Sequence, residues 1–235
     1  MMSRVVFLCF LAFAFPAALS IGAAAEEFEF EGRKKCGGCH KSEMKSWEQT
    51  AHGKALKSLA AGEKAEAKKK AGLDPEKDYS GDQKCVACHT TGFGHEGGYD
   101  LDDPSEYLEG VGCESCHGPG LEYRLIHRKA GIKFEDGGTT TPRQALVEAG
   151  EEFHFVERCK VCHLNYAGSG WPGAKEPYTP FTPKVDPKYA FDFEKAVRDD
   201  RAMHAHFKLE GTFTGPPIPP FHDEFQAIAK PIADE

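Results

Sequence analysis

Four times the chain repeats one five-residue pattern, two cysteines three positions apart with a histidine directly after the second. The copies are Cys36-Gly37-Gly38-Cys39-His40, Cys85-Val86-Ala87-Cys88-His89, Cys113-Glu114-Ser115-Cys116-His117 and Cys159-Lys160-Val161-Cys162-His163. This is the attachment signature of a c-type haem. Two thiols one helical turn apart can each bond a vinyl group of the same porphyrin, and the next residue is then carried beneath the ring, where its imidazole reaches the iron. The competing use of paired cysteines is a zinc ribbon. Zinc does not require histidine at that place, and histidine fills 11 of 235 positions. Its recurrence after all four pairs by chance is below about one in a hundred thousand, so the pattern points to four covalent haems.

Residues 1–25 read as a secretory signal: Arg4 supplies the charge, Val5 to Leu19 the apolar run, and Ala23-Ala24-Ala25 the small-residue cleavage site. The apolar run is about fifteen residues, short of the ~20 that span a bilayer, so stable membrane insertion is not expected. Cys9 lies inside that run; the other eight cysteines are all spent on the motifs, leaving none for disulfides. Export followed by haem attachment points to the periplasm. The remainder, 26–235, is expected to form a single tetrahaem domain with roughly fifty residues per haem, its interior largely porphyrin. The expected class is mainly α, with helices and long loops wrapped around four covalently bound haem c groups and little β. Without Arg4, 28 Lys+Arg face 37 Asp+Glu, a net charge of −9. That disfavours nucleic acid and anionic lipid, and suits a partner with a basic face.

Lys41 to Gly72 carries Met44, Trp47, Ala51, Ala55 and Leu59 at helical steps, which predicts a helix with His52 beside its apolar stripe. Twelve helical residues would place His52 some ~18 Å from His40, so it is expected to serve another haem. The loop around Gly92 to Gly98 predicts an exposed His95. His127 lies in a short helical stretch from Leu121 to Lys129. Thr141 and Pro142 read as the N-cap and first residue of a helix through Val147, closed by Gly150. His154, between Phe153 and Phe155, suits an iron or a hydrogen bond equally. Asn165 to Tyr189 is too rich in Gly and Pro for a regular element. A helix is expected from Phe191 to Leu209, with His204 on its apolar side and His206 turned toward Lys195 and Asp199. The tail from Gly211 reads as extended, with a structural His222.

Four proximal histidines therefore stand in the motifs, and three others have good frames for the distal side: His52, His127 and His204. Three distal ligands for four irons leave one iron five-coordinate, unless His154 or Met203 closes it. Saturated haems only pass electrons; an open position binds a small molecule.

Several segments outside the motifs carry a more specific likeness. Glu31 to Cys36, Gly110 to Gly120, Cys162 to Tyr166, Pro177 to Pro183 and Phe221 to Ala227 resemble the cytochrome c-554 family, the periplasmic tetrahaem cytochromes of ammonia-oxidising bacteria. The resemblance implies an electron carrier, not an enzyme. It would take electrons from hydroxylamine oxidoreductase and pass them, through a membrane-bound cytochrome c, toward the quinone-linked respiratory chain. It further implies a mainly helical fold with haems in close pairs and an open second haem, held by His89. The distal set is the one reached above, with His127 opposite His40, His204 opposite His117 and His52 opposite His163. Thr179 and Phe181 fall in the segment that covers the open haem. One departure is charge, because the best-known member is basic and this chain is acidic. The alternative is reduction of nitric oxide or a related nitrogen oxide at the open haem. Pro180 and Phe181 offer no acid or base for such chemistry. A membrane-anchored quinol dehydrogenase would need a spanning helix.

Overall fold

In the computed structural model, residues 28–138, 140–163, 183, 186–209, 211–216 and 219–232 are described. The expected signal segment lies outside them, as do Thr179 and Phe181. The protein is mainly helical, with little sheet. Each cysteine pair lies on or beside a helical turn. Helix α1 (Arg33–Gly37) runs into the first motif, and α2 (Lys41–Trp47) starts directly after His40. Further on, α3 (Ala65–Lys70) precedes α4 (Gln83–His89), which holds the whole second motif. The Asp82 side chain caps α4 by accepting from the Lys84 N–H at 2.9 Å. The third motif is the one-turn helix α5 (Cys113–His117). It is followed by α6 (Tyr123–Glu135), α7 (Gln144–Val147) and α8 (Phe155–Cys162), whose C-terminal boundary residue is His163. The chain ends through α9 (Phe193–Ala196) and α10 (His222–Ile228). The one described sheet pairs β1 (Thr141–Pro142) with β2 (Phe213–Thr214) in parallel.

Apolar side chains gather in small clusters instead of one centre. Phe30, Tyr99 and Leu108 form one, and Leu59, Tyr79 and Val86 a second, with Leu56, Phe93 and Leu101 packed against both. Phe193, Val197 and Phe225 form a third. The second and third of these pack against the helices that carry the second and fourth motifs.

The predicted helix over 41–72 is interrupted. Thr50 Oγ1 donates to the Trp47 carbonyl at 2.6 Å and accepts from the Gly53 N–H at 3.0 Å, which diverts the backbone after Trp47. Beyond it come turns, a 3₁₀ segment at Lys57–Leu59 and a left-handed Lys64 (φ 49°) before α3. Trp47, Ala55 and Leu59 are nonetheless buried, so the periodicity located the inward side but not a continuous helix. The helix expected over 191–209 shrinks to α9. Asp199 accepts from the Arg201 N–H at 3.0 Å, and the strand-like bonding of 206 and 208 to Lys230 draws the chain out. On this extended stretch the His204 and His206 rings lie 5.5 Å apart between centroids. Thr141 and Pro142 pair with β2 and do not start a helix; α7 begins two residues later and Gly150 (φ +99°) follows it. The helix holding His127 is longer than expected, and the tail is not wholly extended. Its α10 follows Pro219-Pro220 and buries Phe225.

Candidate haem-binding sites

A helical turn puts residues i and i+3 on one side, so the two thiols of each motif can face a single group. All eight described cysteines are free of disulfides. The motifs are not arranged in sequence order. The Cys36 thiol lies against Cys113, which together with burial pushes it upward, and Cys88, beside Cys162, is lowered to about 7. Burial raises Cys116 to about 12, with a further upward push from Cys159. Helix α5 packs against both α1 and α8. The spatial order is thus first, third, fourth, second. The short sequence interval between the second and third motifs does not make them the adjacent pair.

The histidines follow the same order. The rings of His40 and His127 are 5.8 Å apart between centroids, and those of His52 and His163 are 6.0 Å apart. Imidazole nitrogens about 2 Å from a metal on either side place ring centres roughly 6 Å apart, so both pairs are spaced to hold one iron between them. His204 is among the imidazoles whose proximity helps lower His117. Burial lowers His117, His127 and His163 to about 4 and also lowers His52, which keeps these rings neutral and their lone pairs free near pH 7. His40 is held higher by the Glu43 carboxylate, 3.9 Å from its Nδ1. Aromatic rings orient the imidazoles: Phe155 stands edge-on to His117, Phe213 edge-on to His127, and Phe191 lies flat on His163 at 4.1 Å.

His89 differs. Its Nδ1 is 2.8 Å from the Ala55 carbonyl, which only accepts, so Nδ1 carries the proton and Nε2 is bare. Among the described residues no second imidazole lies against it. His95 is exposed, as expected. His154 is exposed too, its backbone N–H bonded to Glu152 Oε1 at 2.5 Å. His206 does not turn toward Lys195 and Asp199; it stacks on Phe225 at 4.0 Å with its Nε2 buried and unpaired.

Three groups were not singled out from the sequence. Glu114, inside the third motif and 1 % exposed, accepts from the N–H groups of Glu31, Gly32 and Gly120 at 3.0, 2.8 and 2.7 Å. Burial still pushes its carboxyl upward. Its only sequence signal is an acid between two anchoring cysteines. Gly110 (φ +76°) lies against the backbone at 52–53, and Val111 N–H donates to the His52 carbonyl at 3.0 Å, so the third motif's approach loop holds His52 in place. Glu151, raised to about 7 by burial, has one oxygen buried and unpaired.

A zinc ribbon would converge its ligands, yet among the described residues no three His, Cys, Asp or Glu side chains could hold a metal ion together. Thiol pairs on helical turns, with imidazoles spaced for an iron, fit covalent haem. The fold and these sites define a multihaem c-type cytochrome, an electron-transfer protein. The family described as cytochrome c554 and c-prime matches residues 35–118. The chain is 58 % identical over 207 residues to cytochrome c-554 of Nitrosomonas europaea, covering 88 % of each. The structure of the reduced state of cytochrome c554 from that organism superposes with a TM-score of 0.81 at 58 % identity, covering 87 % of this chain and 99 % of that one. The chain belongs to the cytochrome c-554 family and carries four covalently bound haem c groups. Among the described residues no helix is long and apolar enough to cross a membrane.

Proposed function

We propose that the protein is a periplasmic electron relay that accepts electrons from hydroxylamine oxidoreductase and delivers them to a membrane-bound cytochrome c, toward the quinone-linked chain. When bound, the haems supply one-electron chemistry at iron. The chain's part is to anchor and order them. Cys36 and Cys39, Cys85 and Cys88, Cys113 and Cys116, and Cys159 and Cys162 attach one group each. His40, His89, His117 and His163 are the proximal ligands; His127, His204 and His52 are the distal partners of the first, third and fourth.

The observation supporting this reading is that the motifs' thiols neighbour one another in the order first, third, fourth, second. Membership of the family supports the donor, and cleavage near Ala25 would release the chain into the periplasm. The test is stopped-flow reduction of the oxidised protein by hydroxylamine oxidoreductase turning over hydroxylamine. Rapid reduction of all four haems is expected; no faster reduction than by hydroxylamine alone would remove that donor. Electron paramagnetic resonance should count one high-spin ferric iron in four. Steady turnover of nitric oxide far above that of a fully six-coordinate tetrahaem control would replace the relay by the reductase reading.

A further inference from the structure

The second motif's histidine is held by a hydrogen bond that another residue contests. The Ala55 carbonyl accepts from His89 Nδ1 at 2.8 Å, from Ser58 Oγ at 2.6 Å and from the Ser58 backbone N–H at 3.1 Å. Three donors thus converge on one oxygen. The Ser58 hydroxyl is also 3.3 Å from His89 Nδ1, too long to be more than a weak second acceptor. Because its own proton goes to the carbonyl, it draws off acceptor strength that would otherwise polarise the Nδ1–H bond. Neither His40, beside the Glu43 carboxylate, nor His204, whose Nδ1 is 2.8 Å from the Ala205 carbonyl, shows such sharing.

From this geometry we infer that Ser58 is a positioning residue for the second haem, keeping His89 a weak electron donor by competing for the Ala55 carbonyl. The inference rests on the reading above that His89 is a proximal ligand with an open opposite side. The partner of a ligating histidine's free nitrogen sets that ligand's basicity. A strong acceptor gives the ring anionic character, stiffens its bond to iron and favours the ferric state. A shared acceptor does the opposite, so the second haem is poised to stay reduced.

The test compares the wild type with Ser58→Ala and Ser58→Thr, all as full-length, four-haem protein. Two readouts are taken on the high-spin haem: the iron–histidine stretch by resonance Raman, and the midpoint by spectroelectrochemistry. Ser58→Ala should raise the stretching frequency. It should also raise the oxidised-to-reduced ratio at a fixed potential by about three- to tenfold, a fall of up to about 59 mV. Ser58→Thr, which keeps the hydroxyl, should match the wild type. A Ser58→Ala protein with unchanged stretch and midpoint overturns the inference, and so does an equal shift in Ser58→Thr. A wild type with no high-spin haem and no such stretch would instead overturn the open-site reading.

Discussion

Replacing Glu114 by alanine tests the least expected contact in the structure. The carboxylate takes three backbone N–H groups, two of them in fully buried bonds and the third partly solvated. Alanine leaves all three without an acceptor. An orphaned buried donor costs about 1–3 kcal/mol, so the two buried ones and a discounted third sum to about 3–7 kcal/mol. That is a large share of the 5–15 kcal/mol typical of a whole domain. Glutamine keeps one accepting oxygen and avoids burying a charge, a cost visible in the upward push on the Glu114 carboxyl. Glu114→Gln should therefore lose only about 1–2 kcal/mol. The assay is guanidinium unfolding of the oxidised protein followed by far-ultraviolet circular dichroism, with mass spectrometry confirming four haems in every variant. If Glu114→Ala unfolds within about 1 kcal/mol of the wild type, the carboxylate does not hold the segment at 31–32 to the third motif and the reasoning fails.

His127→Ala should convert one low-spin haem to high-spin with covalent haem content unchanged; an unaltered absorption spectrum would remove His127 from the ligand set. His117, His127 and His163 are depressed to about 4 against about 6.5 for an unfolded imidazole. The unfolded chain therefore binds more protons in acid, so the stability these groups contribute is complete above about pH 6.5 and is lost as pH falls below it. Equal guanidinium midpoints at pH 7 and pH 4.5 would contradict this. Gly110→Ala places a Cβ at positive φ and 2.9 Å from the His52 carbonyl oxygen. It should cost about 1–3 kcal/mol and perturb the fourth haem's optical bands, with the first haem as internal control.

Much of the site was legible because its chemistry fixes local spacing. The haem motifs need two thiols and an imidazole within one turn, and that is written in five consecutive residues. The likeness to cytochrome c-554 in the segments between motifs was equally readable. Helix lengths were not. Thr50 and Gly53 divert the backbone inside an otherwise helical pattern, and the pull of Lys230 on residues 206 and 208 dissolves a predicted last helix. Both are tertiary effects that periodicity does not register. His206 was misplaced for that reason: its side was assigned on a helix, and an extended backbone sends it to Phe225. Glu114 escaped notice because two of its donors, at Glu31 and Gly32, lie more than eighty positions away, and Ser58 because the carbonyl it shares is contested by a histidine 31 positions on.

The interleaving of the motifs governs how such a molecule can be built. During synthesis the first site emerges early, but its spatial neighbour at 113–117 and its facing ring at His127 emerge some eighty residues later, and His52 must wait still longer for His163. No fragment ending before His127 holds both facing rings of the first site, and removing the fourth motif leaves His52 without the ring it faces. Maturation therefore has to attach porphyrins to an unfinished polypeptide, with tertiary closure following as one late event.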